Sequence, residues 1–380
     1  MERRVNKNIQ MVDLVGQYQR LKGAIDGAMA DVLRGGTFIN GPAVKQFAAQ
    51  LADYLKVPYV IPCANGTDAL QIALMSLGLQ PGDEVIVPDF TYVAAAEVIA
   101  LLGLTPVLVD VNARTFNMDA AGIEAAVSSR TKALIAVHLF GQCCDMESIL
   151  KIAEAHHLYV IEDNAQSLGA VHTFTDGRKQ MSGTMGHIGT TSFFPSKPLA
   201  CYGDGGALIT RDEALAVRIR MIANHGQEVK YHHRIIGCNS RLDTLQAAVL
   251  GVKLPHLDEF TAARRVAARR YDEGLASCPW LLLPQQSPFS THVYHQYTLQ
   301  VEESKRDALK EYLKEHGVPS MVYYPLPVQM QEAFRPLARL SGAVTISSHL
   351  CRSVLSLPIH TEMTADEQEY IIDTILNYEQ

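Results

Sequence analysis

The feature that most constrains the fold is an alternation, between residues 58 and about 210, of short apolar runs with segments of helical length. In these longer segments apolar side chains recur three or four residues apart, which is typical of helices that cover a sheet. Parallel strands need such crossover connections, so the alternation predicts an α/β fold with a large, mostly parallel sheet. The predicted strands comprise residues 59–61, 84–88, 106–111, 133–139, 158–163 and 207–210.

The pattern changes near Pro255, after which a smaller α+β unit is predicted. Its predicted elements are a charged helix at 258–275, a strand at 294–301, a helix at 305–316 and a strand at 320–324. A capping box of Thr364 and Glu367 predicts one more helix at the end of the chain. Because 380 residues exceed one ordinary core, we predict a large domain of residues 1–255 and a small C-terminal domain of residues 256–380.

The composition is that of an ordinary globular protein and argues against two kinds of partner. Hydrophobic residues make up 48% of the chain, and a formal net charge of −7 argues against general affinity for nucleic acid. The longest nearly apolar stretch, residues 92–104, is too short to span a bilayer and contains Glu97, so no membrane partner is expected. No secretory signal is expected, because no apolar segment follows the charged first residues.

The cysteine pattern predicts a reducing, cytoplasmic compartment. The seven cysteines lack the spacing of a disulfide framework. Neither CxxC nor HExxH occurs, so no metal site is predicted. The pairs His156-His157 and His232-His233 leave metal binding open, but solvated or hydrogen-bonding roles are favoured for them.

Ligands of an open α/β sheet bind beyond the carboxyl ends of its strands, and polar residues occur there in this chain. Gly66 and Thr67 open a predicted helix, where free amides and the helix dipole favour a phosphate, although an ordinary helix cap is also consistent. Asp163 ends a predicted strand and can pair with a pyridinium nitrogen, and Gln166 can reach a phenolic oxygen. A loop-capping role explains Asp163 equally well.

The segment SFFPSK, residues 192–197, places one lysine in mostly apolar surroundings. Such surroundings lower the pKa of an amine, so Lys197 can form a Schiff base with an aldehyde, and Ser192 can help to bind a phosphate. A surface lysine is the alternative, but aromatic residues before it and a glycine-rich turn after it, residues 203–206, are unusual for a solvated face. Tyr92 can stack on a planar cofactor or pack in the core. Together these positions meet the needs of an aldehyde cofactor that carries a phosphate.

With these residues in place, the chain resembles the DegT/DnrJ/EryC1/StrS family of sugar aminotransferases, within the fold-type I (aspartate aminotransferase-like) enzymes. The resemblance extends from about Asp13 to Pro358. The segments that carry it are residues 38–42, 64–70, 81–85, 162–166, 192–197, 203–206 and 239–243. In combination these segments are highly specific.

The resemblance implies pyridoxal 5′-phosphate as the cofactor, with pyridoxamine 5′-phosphate as its second form. Lys197 would be the catalytic Schiff-base lysine, Asp163 the partner of the pyridine nitrogen and Gln166 the neighbour of the phenolic oxygen. The remaining implied contacts are the phosphate with Gly66, Thr67 and Ser192, and the ring with Tyr92. Asn239 would reach the phosphate of the neighbouring subunit's cofactor, which implies a homodimer with active sites at the subunit interface.

Within the family, residues 196–199, 225–227, 231–233 and 239–246 are similar to those of enzymes that aminate C3 of UDP-2-acetamido-2-deoxy-3-oxo-glucuronate. That step leads to diacetamido-uronic acids of bacterial lipopolysaccharide. The similarity implies a UDP-keto-sugar and glutamate, which becomes 2-oxoglutarate, as substrates. It places Phe38, Arg241, Tyr323 and Tyr324 at the substrate. Arg241 would meet a carboxylate or phosphate, and a structural salt bridge is an equal alternative.

Two other functions remain open at this point. One is an aminotransferase for a nucleotide-linked 4-keto-6-deoxysugar, because the cofactor motifs do not identify which carbon is aminated. The other is a non-catalytic regulator built on the same fold, which Lys197, Asp163 and Gln166 argue against.

Two positions depart from the family pattern. Tyr323-Tyr324-Pro325 stands where the family has His-Tyr-Pro, so a contact to sugar or donor that is normally made by His is expected to change. Asn164 replaces the usual Ala after Asp163, which is expected to alter hydrogen bonding beside the cofactor.

Overall fold

The structure is a computed structural model that describes residues 9–378. Its α-helices are α1 (Leu14–Gly35), α2 (Pro42–Leu55), α3 (Gly66–Ser76), α4 (Ala94–Leu101), α5 (Ala120–Ala126), α6 (Met146–His156), α7 (Glu213–Ile222), α8 (Thr244–Lys253), α9 (Leu257–Leu275), α10 (Arg306–Glu315), α11 (Thr345–Ser353) and α12 (Ala365–Leu376). Short 3₁₀ helices comprise Leu139–Gly141, Leu254–His256 and Val328–Met330.

The strands are β1 (Tyr59–Cys63), β2 (Glu84–Pro88), β3 (Thr105–Val109), β4 (Thr131–Val137), β5 (Tyr159–Asp163), β6 (Val171–Thr173), β7 (Lys179–Met181), β8 (Ile188–Ser192), β9 (Gly206–Thr210), β10 (Gln227–Val229), β11 (His232–His233), β12 (Leu281–Leu282), β13 (Tyr297–Val301), β14 (Arg339–Leu340) and β15 (Val354–Leu357). The small sheets β6–β7 and β10–β11 are antiparallel hairpins.

Eight strands form the main sheet, in the order β1-β9-β8-β5-β4-β2-β3-β14. The run from β8 to β14 is parallel throughout, and β9 is antiparallel to both of its neighbours. Every residue of β2 and β9 is buried, as expected for strands that helices cover on both faces. The predicted mostly parallel α/β sheet is therefore confirmed.

Two strand predictions differ from the structure at the edge of the sheet where the site lies. β4 ends at Val137 rather than residue 139, because the chain turns into a 3₁₀ helix in which Phe140 has a left-handed φ of 59°. The predicted strand at 320–324 is wrong: this segment makes a single bridge, Met321 to Ser356. Pro325 and Pro327 follow it, and since proline has no amide donor the segment cannot continue a hydrogen-bonded ladder.

After residue 255, β12, β13 and β15 form an antiparallel three-stranded sheet. α12 packs against α9, and the predicted capping box at Thr364 and Glu367 is confirmed at its start. Residues of α9, β13 and α12 share one apolar cluster, and Ile9, from the beginning of the described chain, also packs into it. β14, although it comes after residue 255, joins the main sheet beside β3. The division of the chain at residue 255 stays a prediction.

The carboxyl edge of the main sheet is met by a segment from the later part of the chain. Gly141 accepts a hydrogen bond from Val293 N, and Phe140 O accepts one from Gln296 N. Gly141 has a φ of 119°, and a Cβ there would lie 2.9 Å from the amide nitrogen of Tyr294. Glycine thus permits the close crossing that brings residues 293–296 to the edge of the sheet. Within residues 9–378, no helix is long and apolar enough to cross a bilayer.

Candidate active site

A cavity of about 590 Å³ opens at the carboxyl edge of the main sheet. Its size is that of a pocket for a small molecule. It brings together nine of the predicted site residues, which are Gly66, Thr67, Tyr92, Asp163, Gln166, Ser192, Lys197, Tyr323 and Tyr324. A wider groove of about 900 Å³ lies beside α7 and contains none of them. We take the smaller cavity as the candidate active site, because a lysine, an acid and a helix N-terminus converge in it.

The start of α3 forms an anion cradle on one wall. Asn65 caps the helix by accepting a hydrogen bond from the amide of Asp68 at 2.8 Å, and the amides of Gly66 and Thr67 lie in the first turn, where no intrahelical acceptor exists. A Cβ at Gly66 would lie 2.7 Å from the Cβ of Ser192, so only glycine leaves this space open. Free amides, two hydroxyls and the positive end of a helix dipole fit a phosphate.

Lys197 is fixed by a tight loop between β8 and β9. The loop is closed by hydrogen bonds from Phe193 N to Gly205 O (2.8 Å) and from Cys201 N to Phe193 O (2.9 Å). Phe193 is fully buried and anchors the loop in the core. Burial lowers the pKa of Lys197 to about 8, against a smaller opposing effect of Asp163. At pH 7 a fraction of the amine on the order of one tenth is therefore neutral and nucleophilic, far more than for an exposed lysine, as an aldehyde-binding lysine requires.

Asp163 ends β5 and faces the cavity on the side of Lys197. Its Oδ1 accepts a hydrogen bond from Ala165 N at 3.0 Å, and its carbonyl accepts one from His138 N at 3.1 Å. Burial raises the pKa of Asp163, and the hydrogen bond from Ala165 and the charge of Lys197 oppose the rise. A carboxylate in this setting gains most from a cationic partner, which a protonated pyridine nitrogen would supply.

A buried polar network holds the end of β5 from behind. Glu162 accepts hydrogen bonds from the amides of Gly183, Met185 and Gly186 at 2.6–2.8 Å and lies 2.9 Å from His138 Nε2. These bonds fix the strand that presents Asp163. Asn164, the departure noted in the sequence, also points into this network: it donates to Ser182 O at 3.0 Å and does not line the cavity. Its hydrogen bonding therefore supports the loop behind the site.

Gln166 and Tyr324 form the wall opposite the helix. Gln166 Oε1 accepts a hydrogen bond from Phe140 N at 2.8 Å, so its amide nitrogen is directed to the Tyr324 hydroxyl at 3.1 Å. The Tyr324 ring packs against Phe90 and Tyr92, with centroids 6.0 and 6.2 Å apart. Tyr92 itself is 56% exposed toward the opening, where a planar ligand can reach it.

His295 was not predicted from the sequence, yet it lines the cavity with Gln296. The imidazole is 3% exposed, and its Nδ1 has no hydrogen-bond partner among residues 9–378. Burial, together with the charges of Lys197 and Arg264, holds the pKa of His295 well below its usual range, so the ring is neutral. The available sequence signal was a His-Gln pair between Tyr294 and Tyr297, at the start of the strand predicted at 294–301.

Three predicted residues lie outside this cavity. Asn239 is exposed and pairs with Asn224 in an isolated bridge, and Phe38 is 46% exposed. Arg241 lines a separate cavity of about 430 Å³, together with Lys45 and Arg220. Arg241 Nε is buried without a hydrogen-bond partner in the described chain, so the structure does not support the structural salt bridge through this atom.

The fold and the site together define a class. A mostly parallel sheet carries, at its carboxyl edge, a phosphate cradle, an amine of lowered pKa and a buried acid that favours a cation. These residues fit pyridoxal 5′-phosphate, which when bound supplies an electron sink for amino-group transfer. The arrangement is that of a fold-type I enzyme that uses this cofactor.

The chain belongs to the DegT/DnrJ/EryC1/StrS aminotransferase family, whose sequence profile matches residues 19–376. It is 44% identical over 369 residues to the UDP-2-acetamido-2-deoxy-3-oxo-D-glucuronate aminotransferase of Pseudomonas aeruginosa, covering 97% of this chain and 100% of that one. It is 43% identical to a Geobacillus stearothermophilus protein named pleiotropic regulatory protein, covering 98% of each chain. The prediction of a sugar aminotransferase is confirmed.

Solved structures agree with the fold and the cofactor. A family aminotransferase from Brucella abortus superposes with a TM-score of 0.93 at 41% identity, covering 98% of this chain and 99% of that one. NtdA from Bacillus subtilis, solved with bound pyridoxamine phosphate, superposes with a TM-score of 0.89 at 30% identity, covering 100% and 87%. The predictions of an aspartate aminotransferase-like fold and of pyridoxal phosphate as the cofactor are confirmed.

Proposed function

We propose that the protein transfers an amino group from glutamate to C3 of UDP-2-acetamido-2-deoxy-3-oxo-glucuronate. The observation that carries this proposal is the match, over 97% of this chain and 100% of that one, with the Pseudomonas aeruginosa enzyme of that name. The product would supply diacetamido-uronic acids for bacterial lipopolysaccharide. Seven cysteines without the spacing of a disulfide framework, six of them buried, support synthesis and work in a reducing cytoplasm.

Lys197 is the proposed catalytic residue. Its amine would hold the aldehyde carbon of the cofactor and, once displaced, would carry a proton away from the α-carbon of the amino donor. A pKa near 8 suits both tasks, because the amine can gain and lose a proton close to neutral pH. Asp163 would face the pyridine nitrogen and keep it protonated, and Gln166 would donate to the phenolic oxygen through the nitrogen that it directs to Tyr324.

Gly66, Thr67 and Ser192 are proposed to hold the phosphate, and Tyr92 to stack on the ring. Each lines the cavity, and their amides and hydroxyls form the cradle at the start of α3. Tyr323 and Tyr324 are proposed to contact the keto-sugar, since both line the cavity near its opening. Tyr323 has a phenol where the family has an imidazole. Its side chain therefore reaches further into the cavity, and any hydrogen bond it makes to the sugar involves an oxygen.

We further propose that a homodimer is the active unit. Asn239, Arg241 and Phe38 lie outside the cavity of their own chain, so they can serve a site only if it belongs to a second copy. Lys45, Arg220 and Arg241 line one cavity without any acidic residue, which suits the carboxylate or the phosphates of the proposed substrate. Asn239 is exposed beside this cavity, in position to reach a partner.

One alternative, a regulator without catalytic activity, is suggested by the name of the Geobacillus relative. The intact set of Lys197, Asp163 and Gln166 in one cavity favours the enzyme. The other alternative is amination of a nucleotide-linked 4-keto-6-deoxysugar. Such a substrate has no uronate carboxylate, so it would use the basic cavity of Lys45, Arg220 and Arg241 for its phosphates alone.

The test is a substrate panel with cofactor-loaded protein and glutamate. UDP-2-acetamido-2-deoxy-3-oxo-glucuronate, its counterpart without the carboxylate and a dTDP-4-keto-6-deoxysugar are supplied in turn, and aminated products are identified by mass spectrometry. Product from the uronate alone, absent with Lys197→Ala, is the expected result. Preference for the 4-keto-sugar would refute the substrate assignment, and no product from any sugar would favour the regulator.

A further inference from the structure

The segment that carries Tyr323 and Tyr324 is attached to the main sheet by a buried acid that has no part in the site described above. Asp89 follows β2 directly and is fully buried. Its Oδ1 accepts a hydrogen bond from Gln329 N at 2.7 Å, and its carbonyl accepts one from Val328 N at 3.0 Å. One residue therefore holds two successive amides of the later segment.

The segment between this attachment and the cavity is short and stiff. Tyr324 is followed by Pro325-Leu326-Pro327, and the next residues are Val328 and Gln329. Because proline fixes φ, two prolines in three residues leave little freedom between the anchored amides and the Tyr324 ring. Pro327 and Val328 are buried, and Val328 belongs to the apolar core of the main sheet. A displacement at Gln329 is thus passed on to Tyr324.

The same end of β2 also provides the surface on which Tyr324 rests. Phe90 and Tyr92, one and three residues after Asp89, pack against the Tyr324 ring. Tyr324 in turn receives the hydrogen bond from Gln166. Residues 89–92 therefore fix the backbone of the later segment, through Asp89, and the position of the Tyr324 ring at the cavity, through Phe90 and Tyr92.

The burial of Asp89 carries a cost that its hydrogen bond offsets only in part. Its Oδ2 has no hydrogen-bond partner within residues 9–378. Burial raises the pKa of Asp89 to about 7, while the Gln329 amide lowers it and the charge of Asp110 adds to the rise. A simple packing role would be met better by an apolar residue. The carboxyl group is instead explained by the amides that it binds.

We propose that Asp89 is a positioning residue for the keto-sugar: by holding the amides of Val328 and Gln329, it fixes the wall formed by Tyr323 and Tyr324. The inference rests on the proposed function in one respect, namely that the sugar enters against this wall. Glutamate is much smaller than a nucleotide-linked sugar and would cover less of this wall, so the donor half-reaction depends less on it.

The experiment compares Asp89→Ala with Asp89→Asn, which keeps an acceptor in the same place. Asp145→Ala is the matched control, because Asp145 also accepts a hydrogen bond from a backbone amide, that of Ser148 at the start of α6, and has no hydrogen bond to residues 323–330. The two half-reactions are followed separately by the absorbance of the bound cofactor, with glutamate and then with the keto-sugar. Amide hydrogen exchange at residues 328–330 is measured on the same proteins by mass spectrometry.

Asp89→Ala is expected to speed exchange at residues 328–330 and to raise the KM for the keto-sugar on the order of tenfold. Its glutamate half-reaction should stay within about twofold of wild type, and Asp89→Asn should stay near wild type in both. Equal KM effects of Asp89→Ala and Asp145→Ala, or unchanged exchange at 328–330, would overturn the inference.

Wild-type protein provides a test that does not depend on the folding of a variant. The amides of Val328 and Gln329 should exchange as slowly as amides of the main sheet, and much more slowly than that of the exposed Glu332. Rapid exchange at 328 and 329 would contradict the attachment itself. The two proposals can fail separately. If the protein does not aminate the uronate, but the amides of residues 328 and 329 exchange slowly in wild type and faster in Asp89→Ala, only the proposed substrate is refuted.

Discussion

At the scale of single residues, the site depends on how burial treats opposite charges. Lys197 and Asp163 line one cavity, and burial destabilises the charged form of each, so the pKa of the amine is lowered and that of the acid is raised. Pyridoxal phosphate would stabilise these charged forms again. Its protonated ring nitrogen is positive and its phosphate is negative, so it supplies opposite charges to the acid and to the amine. The two residues are thus prepared for a ligand that carries both signs.

The first prediction concerns the pH at which Lys197 becomes reactive. In cofactor-free protein, the rate at which pyridoxal phosphate attaches should rise with pH and reach half its maximum near pH 8, because the neutral amine is the nucleophile and its pKa is about 8. Stopped-flow absorbance measures this rate. In Asp163→Asn the midpoint should move to lower pH, because the charge of Asp163 favours the ammonium form. A wild-type midpoint near 10.5, the value of an exposed lysine, would contradict the assigned environment.

The second prediction concerns the space at Gly66. Gly66→Ala should weaken the binding of pyridoxal phosphate by about tenfold or more, because the new Cβ would lie 2.7 Å from Ser192 Cβ and would push apart the two sides of the cradle. Fluorescence titration of cofactor-free protein measures the Kd. Gly23→Ala is the control, since a Cβ on that glycine of α1 has no neighbour within 4 Å. Equal affinity of Gly66→Ala and wild type would mean that the phosphate binds elsewhere.

Residue by residue, the lysine, the acid, the helix start and the paired tyrosines of the cavity could be predicted from the sequence, and His295 and Gln296 could not. Asp163 ends a predicted strand and Gly66 opens the helix predicted after another, so the strand ends locate them. Lys197 was marked instead by its mostly apolar segment and by the glycine-rich turn after it. His295 and Gln296 reach the cavity through the crossing at Gly141, a contact between segments more than 150 residues apart in the chain. No local pattern encodes such a contact, and the buried Nδ1 of His295 is visible only in the folded structure.

At the scale of elements, the short strand β14 depends on one buried acid. Glu84, at the start of β2, is fully buried and accepts hydrogen bonds from Arg339 (2.9 Å), Arg130 (2.7 Å) and the hydroxyl of Ser128 (2.6 Å). Arg339 belongs to β14, so Glu84 ties this strand to the sheet. Burial by itself raises the pKa of Glu84, but the hydrogen bonds from Ser128 and Arg339 outweigh it and the net pKa is lowered.

The third prediction follows from this ion pair. Glu84→Gln should lower the free energy of unfolding at pH 7 by about 2 kcal/mol, because two arginines lose a buried partner. Since the folded pKa is lowered, the stabilisation is complete above the unfolded pKa of about 4.3 and disappears as pH falls through the folded pKa. Urea denaturation at pH 7 and at progressively lower pH measures the difference between the proteins. Glu311→Gln, which breaks an exposed pair with Lys314, should leave stability unchanged, and a similar loss there would contradict the argument.

Element predictions were most accurate where local sequence decides the structure. β2 begins and ends where predicted, because an apolar run is bounded by the turn at residues 81–83. The capping box of α12 was likewise readable, since Thr364 and Glu367 bond each other's backbone. The strand predicted at 320–324 failed because Val322, Tyr323 and Tyr324 pack against the core of the main sheet and are followed by prolines. β14, two residues long, is specified by its ion pair and by no pattern of its own.

At the scale of the whole molecule, the proposed dimer makes a quantitative prediction. Lys197→Ala and Asn239→Ala chains should each be inactive alone, but mixed dimers would contain one site with both wild-type residues. When equal amounts of the two variants are denatured and refolded together, random reassociation makes half of the dimers mixed. About one quarter of wild-type activity should therefore return. Mixing Lys197→Ala with Asp163→Ala should restore nothing, because both residues line the cavity of one chain. Equal activity from the two mixtures would exclude shared sites.

The position of Tyr323 and Tyr324 in the chain has a consequence for synthesis on the ribosome. The anion cradle, the lysine and the acid are all translated before residue 200, but the wall that receives the Gln166 amide comes more than 120 residues later. A nascent chain can thus fold seven of the eight strands of the main sheet and expose a reactive amine well before the pocket is enclosed. Vitamin B6 captured at that stage would be bound on one side only, so stable retention of the coenzyme would mark the completion of translation past the paired tyrosines.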